Sequence, residues 1–237
     1  MQLFFAENID GNTIYLDTEE SNHLVKVLRK RLGDRVACTD GRGNLFQCII
    51  RSADPKKTLL SVESRQFEPE DDFHIHLAIC PTKNAERMEW LVEKITEIGV
   101  HEITLMQSEH SERNTLKIER LQKKILSGCK QSLKTRFPKL HGMVGMEKLI
   151  SDHRFDGYQR FIAYVDKDND RHLFEKASRE NAYLVLIGPE GDFSQKELEL
   201  AFEYSFLPCS LGKSRLRTET AGIVAVHTLQ LLNSLIV

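Results

Sequence analysis

The spacing of hydrophobic positions changes near residue 70. Before that point apolar residues come in short runs, Leu3–Phe5, Ile14–Leu16, Arg35–Thr39, Leu45–Ile50 and Thr58–Val62. Turn signals such as Asp10-Gly11 and the Gly41–Asn44 cluster separate them, so each run predicts a strand. One helical piece interrupts near Ser21–Arg31, where Leu24, Val27 and Leu28 are spaced for a single face. Short strands at this density predict a small β-barrel. The stretch Glu68–Asp72 is acidic, contains Pro69 and has no period, so it predicts a linker between a domain at 1–68 and another at 73–237.

Beyond the linker strands and helices alternate. Phe73–Ile79 has strand alternation, and Met88, Leu91, Val92, Ile95 and Ile98 make one face of a helix over 84–98 that Gly99 stops. A strand at 103–106, a helix at about 116–133 and strands at 161–165 and 183–187 follow. Helices of this length between strands mean βαβ units and a mainly parallel sheet.

Composition adds the class. The 237 residues carry 33 Lys+Arg against 35 Asp+Glu, with 41% hydrophobic and 29% charged residues. That is the balance of a folded protein long enough for two cores. Five scattered cysteines (Cys38, Cys48, Cys80, Cys129, Cys209) form no CxxC pair, which argues against a zinc knuckle or a disulfide framework. The N-terminus lacks the basic, then apolar pattern of a signal peptide, and no apolar run is long enough for a membrane span. A reducing cytoplasm is the expected compartment.

The net charge of −2 hides two basic segments. Nine basic residues, among them Arg29, Lys30 and Arg31, stand against three aspartates between His23 and Lys57. Nine more, including Arg113 and Lys130, stand against Glu119 alone between Arg113 and Lys139. One such cluster reads equally well as a solvated face. Two favour a polyanion partner, because concentrated positive charge releases counterions from a phosphate backbone.

Two loops could carry chemistry. The apolar run Leu184–Ile187 leads into Gly188-Pro189-Glu190-Gly191 and then a helix, with Ser194 and Glu197 spaced as a capping box and Phe193 able to staple to Leu198. This is either a tight strand-to-helix turn or a ligand loop at the carboxyl edge of the sheet. The second loop follows Pro208–Gly212 and runs Lys213–Arg217 to Thr218, a plausible N-cap for a final helix that is apolar on nearly all sides. Such a helix is central to its domain or buried against another subunit. Arg217 opposes the dipole at that helix start, which suggests that it faces a carboxylate or an anionic ligand. His74 and His76 share a strand face as metal ligands do, but no third ligand suggests itself; an exposed face accounts for them and no metal is expected. No GxSxG, P-loop or GxGxxG occurs.

At these loops the chain resembles the RsmE family of SPOUT methyltransferases, which methylate N3 of a uridine in bacterial 16S ribosomal RNA. The carriers are residues 187–198 and 211–221, together with 23–36 and 40–44, 86–100, and 107–113 with 119–140. The resemblance implies a PUA-like β-barrel followed by an α/β trefoil-knotted domain, working as a homodimer on 16S rRNA or the small ribosomal subunit. It implies S-adenosylmethionine contacts at Ile187, Gly188, Glu190, Gly191, Leu211, Gly212 and Leu216. Arg217 and Glu190 are the expected catalytic pair, Arg217 stabilising charge on the uracil carbonyls and Glu190 orienting Arg217 or helping to accept the proton. Arg29, Lys30, Arg31, Arg113 and Lys130 are the expected RNA contacts. Asp192, Ser214 and Arg215 depart from the family pattern. Two rivals remain open, a related SPOUT enzyme with a ribose 2′-hydroxyl or transfer RNA target, and a non-catalytic RNA-binding assembly factor.

Overall fold

A computed structural model of the chain describes residues 2–112, 116–164 and 171–234. It separates into two compact units: 1–70 with 126–137, and 71–125 with 138–237. The return of 126–137 to the first unit has no signature in the linear pattern, because that segment reads as ordinary helix and loop.

In the first unit β1 (Leu3–Phe5), β2 (Asn8–Asp10), β3 (Thr13–Tyr15), β4 (Arg35–Thr39), β5 (Asn44–Ser52) and β6 (Leu59–Phe67) form one sheet. Their order is β1-β4-β5-β6-β3-β2, with β1 parallel to β4 and every other pair antiparallel. Asn44, Phe46, Cys48 and Ile50 of β5 alternate inward, as a half-buried strand requires. With Phe4, Ile14, Leu24 and Leu60 the last three make the core.

The helical piece differs from the expectation. Asp17 caps α1 (Thr18–Asn22) by accepting from the Glu20 N–H at 2.7 Å, and a π-helical turn, His23–Val27, continues it. The wider turn rotates Val27 out of register, so Leu24 is fully buried while Val27 is 65% exposed. Arg29, at a φ of 55°, ends the element.

The second unit runs β7 (His74–Ile79), α2 (Ala85–Ile98), β8 (Glu102–Gln107), α3 (Ile118–Ser132, shared with the first unit), β9 (Lys139–Gly145) and α4 (Met146–Ile150). It continues with β10 (Gln159–Ala163), α5 (Leu173–Lys176), β11 (Ala182–Ile187), α6 (Gln195–Glu203), β12 (Leu207–Cys209) and α7 (Thr218–Ser234). The six strands are all parallel, in the order β12-β10-β11-β7-β8-β9. Tyr183–Ile187 and Ile75–Ile79 are buried without alternation, which is the pattern of a parallel sheet covered on both faces. Helix α7 packs against α2, with Gly222, Ala225, Val226, Leu229 and Leu232 buried. Among the described residues no helix is long and apolar enough to cross a membrane.

Candidate active site

Parallel strands deliver all their following loops to one edge, and here β10 lies between β12 and β11. The loops after β11 and β12 therefore flank the end of β10, the kind of crevice where open α/β sheets bind ligands. A cavity of about 630 Å³ opens there. Both signature loops line it, through Ile187, Gly188, Pro189, Glu190 and Asp192 on one side and Ser210–Arg217 on the other. Ala163, Tyr164, Cys209, Thr218 and Ala221 complete the wall.

The first loop is fixed by its own polar groups. Ser194 accepts from the Glu197 N–H while the Glu197 carboxylate accepts from the Ser194 N–H at 2.9 Å, so the expected capping box is present. Glu197 also accepts from the Glu109 N–H at 2.8 Å and so holds the end of the β8 loop. Phe193 is buried beside Leu198, and its ring comes so close to Gly188 that a Cβ there would sit 3.0 Å from it. Asp192 has a φ of 61°, a left-handed conformation that aspartate tolerates, and its Oδ1 accepts from the Phe193 N–H at 2.9 Å.

The second loop joins the first at Thr218. The expected cap is displaced by one residue. The Arg217 carbonyl accepts from the Ala221 N–H at 2.8 Å and so takes the cap position, while the Thr218 hydroxyl donates to the Gly188 carbonyl at 3.1 Å. Arg217 is exposed at the cavity rim. Glu190 is exposed there too, its carboxylate accepting from the Lys83 N–H at 3.2 Å. Glu190 and Arg217 both line the cavity, and among the described residues no direct ion pair joins them. Burial pushes the Cys209 thiol up to about 12, which removes it as a nucleophile at neutral pH.

Six of the seven expected cofactor residues thus line one cavity. Gly191 does not; it packs against His110, whose Nδ1 is 3.0 Å from the Asp192 carbonyl. Ala163, Tyr164 and Thr218 were not foreseen as site residues. The signal for Ala163 and Tyr164 lies in the strand order, which no local motif carries, whereas Thr218 belongs to the second loop and was read only as a cap. Of the expected RNA contacts, Arg29 and Arg31 are exposed and Lys30 half-buried, following the π-helical turn. Arg113 lies outside the described residues. Lys130 is engaged within the first unit, its Nζ 2.5 Å from Oε1 of buried Glu20.

His74 and His76 do not form an exposed face. His76 is 1% exposed, and Glu102 and His141 from the adjoining strands gather with it.

The family model for an RNA methyltransferase domain matches residues 69–230, and that for an RNA methyltransferase PUA domain matches 16–63. The chain belongs to this RNA methyltransferase family, in the RsmE group that its paired loops resemble. A probable rRNA-methyltransferase from Porphyromonas gingivalis is 43% identical, with a TM-score of 0.90 over 98% of this chain and 99% of that one. A putative methyltransferase from Legionella pneumophila, solved with bound cofactor SAM, is 26% identical with a TM-score of 0.87, covering 98% of each chain. The ribosomal RNA small subunit methyltransferase E of Buchnera aphidicola is 28% identical over 97% of this chain and 92% of its own length.

Proposed function

We propose that this chain binds S-adenosylmethionine in the cavity between the β11 and β12 loops and methylates N3 of a uridine in 16S ribosomal RNA. The observation that carries the reading is that both signature loops, distant in sequence, line one cavity with Arg217 at its rim. Its volume of about 630 Å³ suits a nucleoside-sized ligand, and the tight Gly188–Phe193 approach leaves backbone rather than side chain facing the ligand. When bound, S-adenosylmethionine supplies a methyl group made electrophilic by its sulfonium.

The chain's residues supply the rest. N3 of uridine is an imide nitrogen, a poor nucleophile until it loses its proton. As charge develops on the flanking carbonyls, the Arg217 guanidinium stabilises it. Glu190, on the other loop, accepts the N3 proton. The loops align the two reactants, which contributes the entropic part of catalysis.

Arg29, Lys30 and Arg31 in the PUA-matched unit, with Arg113, hold flanking phosphates while the target base is reached out of its stack. A trefoil knot through the two loops is supported by β12 lying outside β10, and a homodimer by apolar residues on the outer side of α7, Ile223 and Val224 half-buried and Leu231 exposed. The cytoplasm is the compartment where such RNA is found.

The test is Arg217→Ala. Calorimetry should show S-adenosylmethionine binding close to wild type, while methyl transfer to small-subunit RNA, followed by mass spectrometry of nucleosides, is lost. Loss of cofactor binding instead would assign Arg217 to the cofactor, and transfer to a ribose would overturn the N3 assignment.

A further inference from the structure

The edge of the parallel sheet opposite the cavity holds a group of histidines that methyl transfer does not use. His74 and His76 begin β7, Glu102 begins β8 and His141 lies in the first half of β9, so parallel register brings them together. His76 Nδ1 and His141 Nε2 lie 3.6 and 2.6 Å from the same Glu102 oxygen, Oε2. Their rings stack at 5.6 Å between centroids and 14° between planes. His74 Nε2 is buried with no hydrogen-bond partner, 3.5 Å from the other oxygen, Oε1.

We propose that His76, Glu102 and His141 form a site for one divalent transition-metal ion of the zinc class, with solvent completing its coordination.

Nitrogen and carboxylate donors of this number suit zinc, with metal–ligand distances of about 2.0–2.2 Å. The ligand atoms of His76, Glu102 and His141 lie within 4.8 Å of one another, close enough for an ion to draw them in by small side-chain rotations. The remaining nitrogen of His76, Nε2, is 2.7 Å from the Thr104 hydroxyl, the outer hydrogen bond that fixes a ligating imidazole. His101 is not a ligand: its Nε2 meets Asp71 at 2.9 Å and its Nδ1 accepts from the Ile75 N–H at 3.0 Å. Two cations stand near. Lys139 Nζ is 3.7 Å from Glu102 Oε1 on a side chain 75% exposed, free to swing into water, and Arg154 is paired with Asp152 at 3.1 Å.

The experiment uses untagged, chelator-treated full-length protein titrated with Co²⁺ and followed by visible d–d absorption, then by Zn²⁺ competition. One equivalent of Co²⁺ should bind, be displaced by Zn²⁺ and raise the unfolding temperature. His141→Gln and Glu102→Gln should weaken binding by about a hundredfold, and Thr104→Val by about tenfold, since outer-partner changes alone cost about 10–100-fold. His141 is half-buried and tolerates replacement, and unchanged S-adenosylmethionine binding verifies that the variant is folded. Absence of a stoichiometric spectrum, or equal affinity in His141→Gln, overturns the site.

Discussion

The Thr218 hydroxyl donates to the Gly188 carbonyl across 30 residues of sequence, at 3.1 Å and out of water. This bond ties the first residue of α7 to the loop after β11, and both loops line the cavity. Thr218→Val keeps shape and volume but leaves the Gly188 carbonyl without that donor. We expect a stability loss of about 1–2 kcal/mol in urea unfolding and S-adenosylmethionine binding weakened by roughly tenfold in calorimetry. Binding at wild-type strength would mean that the two loops hold their shape independently.

Lys130 and Glu20 form the most buried ion pair within the first unit, with side-chain exposures of 21% and 4%. Removing one partner of such a pair strands a charge, so Lys130→Ala should cost about 3 kcal/mol, and replacing both as Glu20→Leu with Lys130→Met should recover most of it. Burial already raises the Glu20 carboxyl above its ordinary value despite Lys130. A raised carboxyl favours the folded state at low pH and loses that contribution as pH rises through its folded value. The deficit of Lys130→Ala should therefore be largest near neutrality and shrink toward about pH 4–5. A pH-independent deficit in urea titrations would show that the pair is not what the substitution removes. A loss of RNA affinity in this variant has to be read after correcting for unfolding.

Local order was legible in the sequence wherever one segment decides it. The α2 face at Met88, Leu91, Val92 and Ile95, the Ser194–Glu197 box and the parallel strands all follow from period and capping chemistry. The site was legible as two loops, and six of the expected cofactor residues meet in one cavity. What was not legible depends on which strands become neighbours. Ala163 and Tyr164 reach the cavity only because β10 sits between β11 and β12, and Glu102 and His141 reach His76 only through β7-β8-β9 adjacency. The helix near Leu24 failed for a local reason, since a π-helical turn breaks the 3.6-residue period on which the spacing of Val27 depends.

Glu197 serves two backbone donors, Ser194 N–H through Oε2 and Glu109 N–H through Oε1. Ser194→Ala removes one side of the box and should cost about 1 kcal/mol, the ordinary value for a lost N-cap. Glu197→Ala releases both donors and should cost about twice that, while also exposing the Glu109 amide to faster hydrogen exchange. Equal losses, with Glu109 protection unchanged, would show that the box alone matters.

Gly43 and Gly33 both have positive φ, 98° and 87°, yet their surroundings differ. A Cβ on Gly33 meets nothing within 4 Å, whereas one on Gly43 would lie 2.7 Å from the Glu68 carbonyl oxygen and from Arg136 Nη2. Gly43 also donates to the Thr135 carbonyl at 2.9 Å and accepts from the Glu68 N–H at 2.8 Å, so its backbone fastens residues 126–137 into the first unit. Gly33→Ala carries only the left-handed strain, about 1–2 kcal/mol. Gly43→Ala adds a collision with backbone that cannot step aside, and about 3 kcal/mol or more is expected. Urea unfolding of the pair separates conformational strain from close packing. Equal losses would mean that the Arg136 and Glu68 segment yields to a methyl group and is not held as tightly as its hydrogen bonds require.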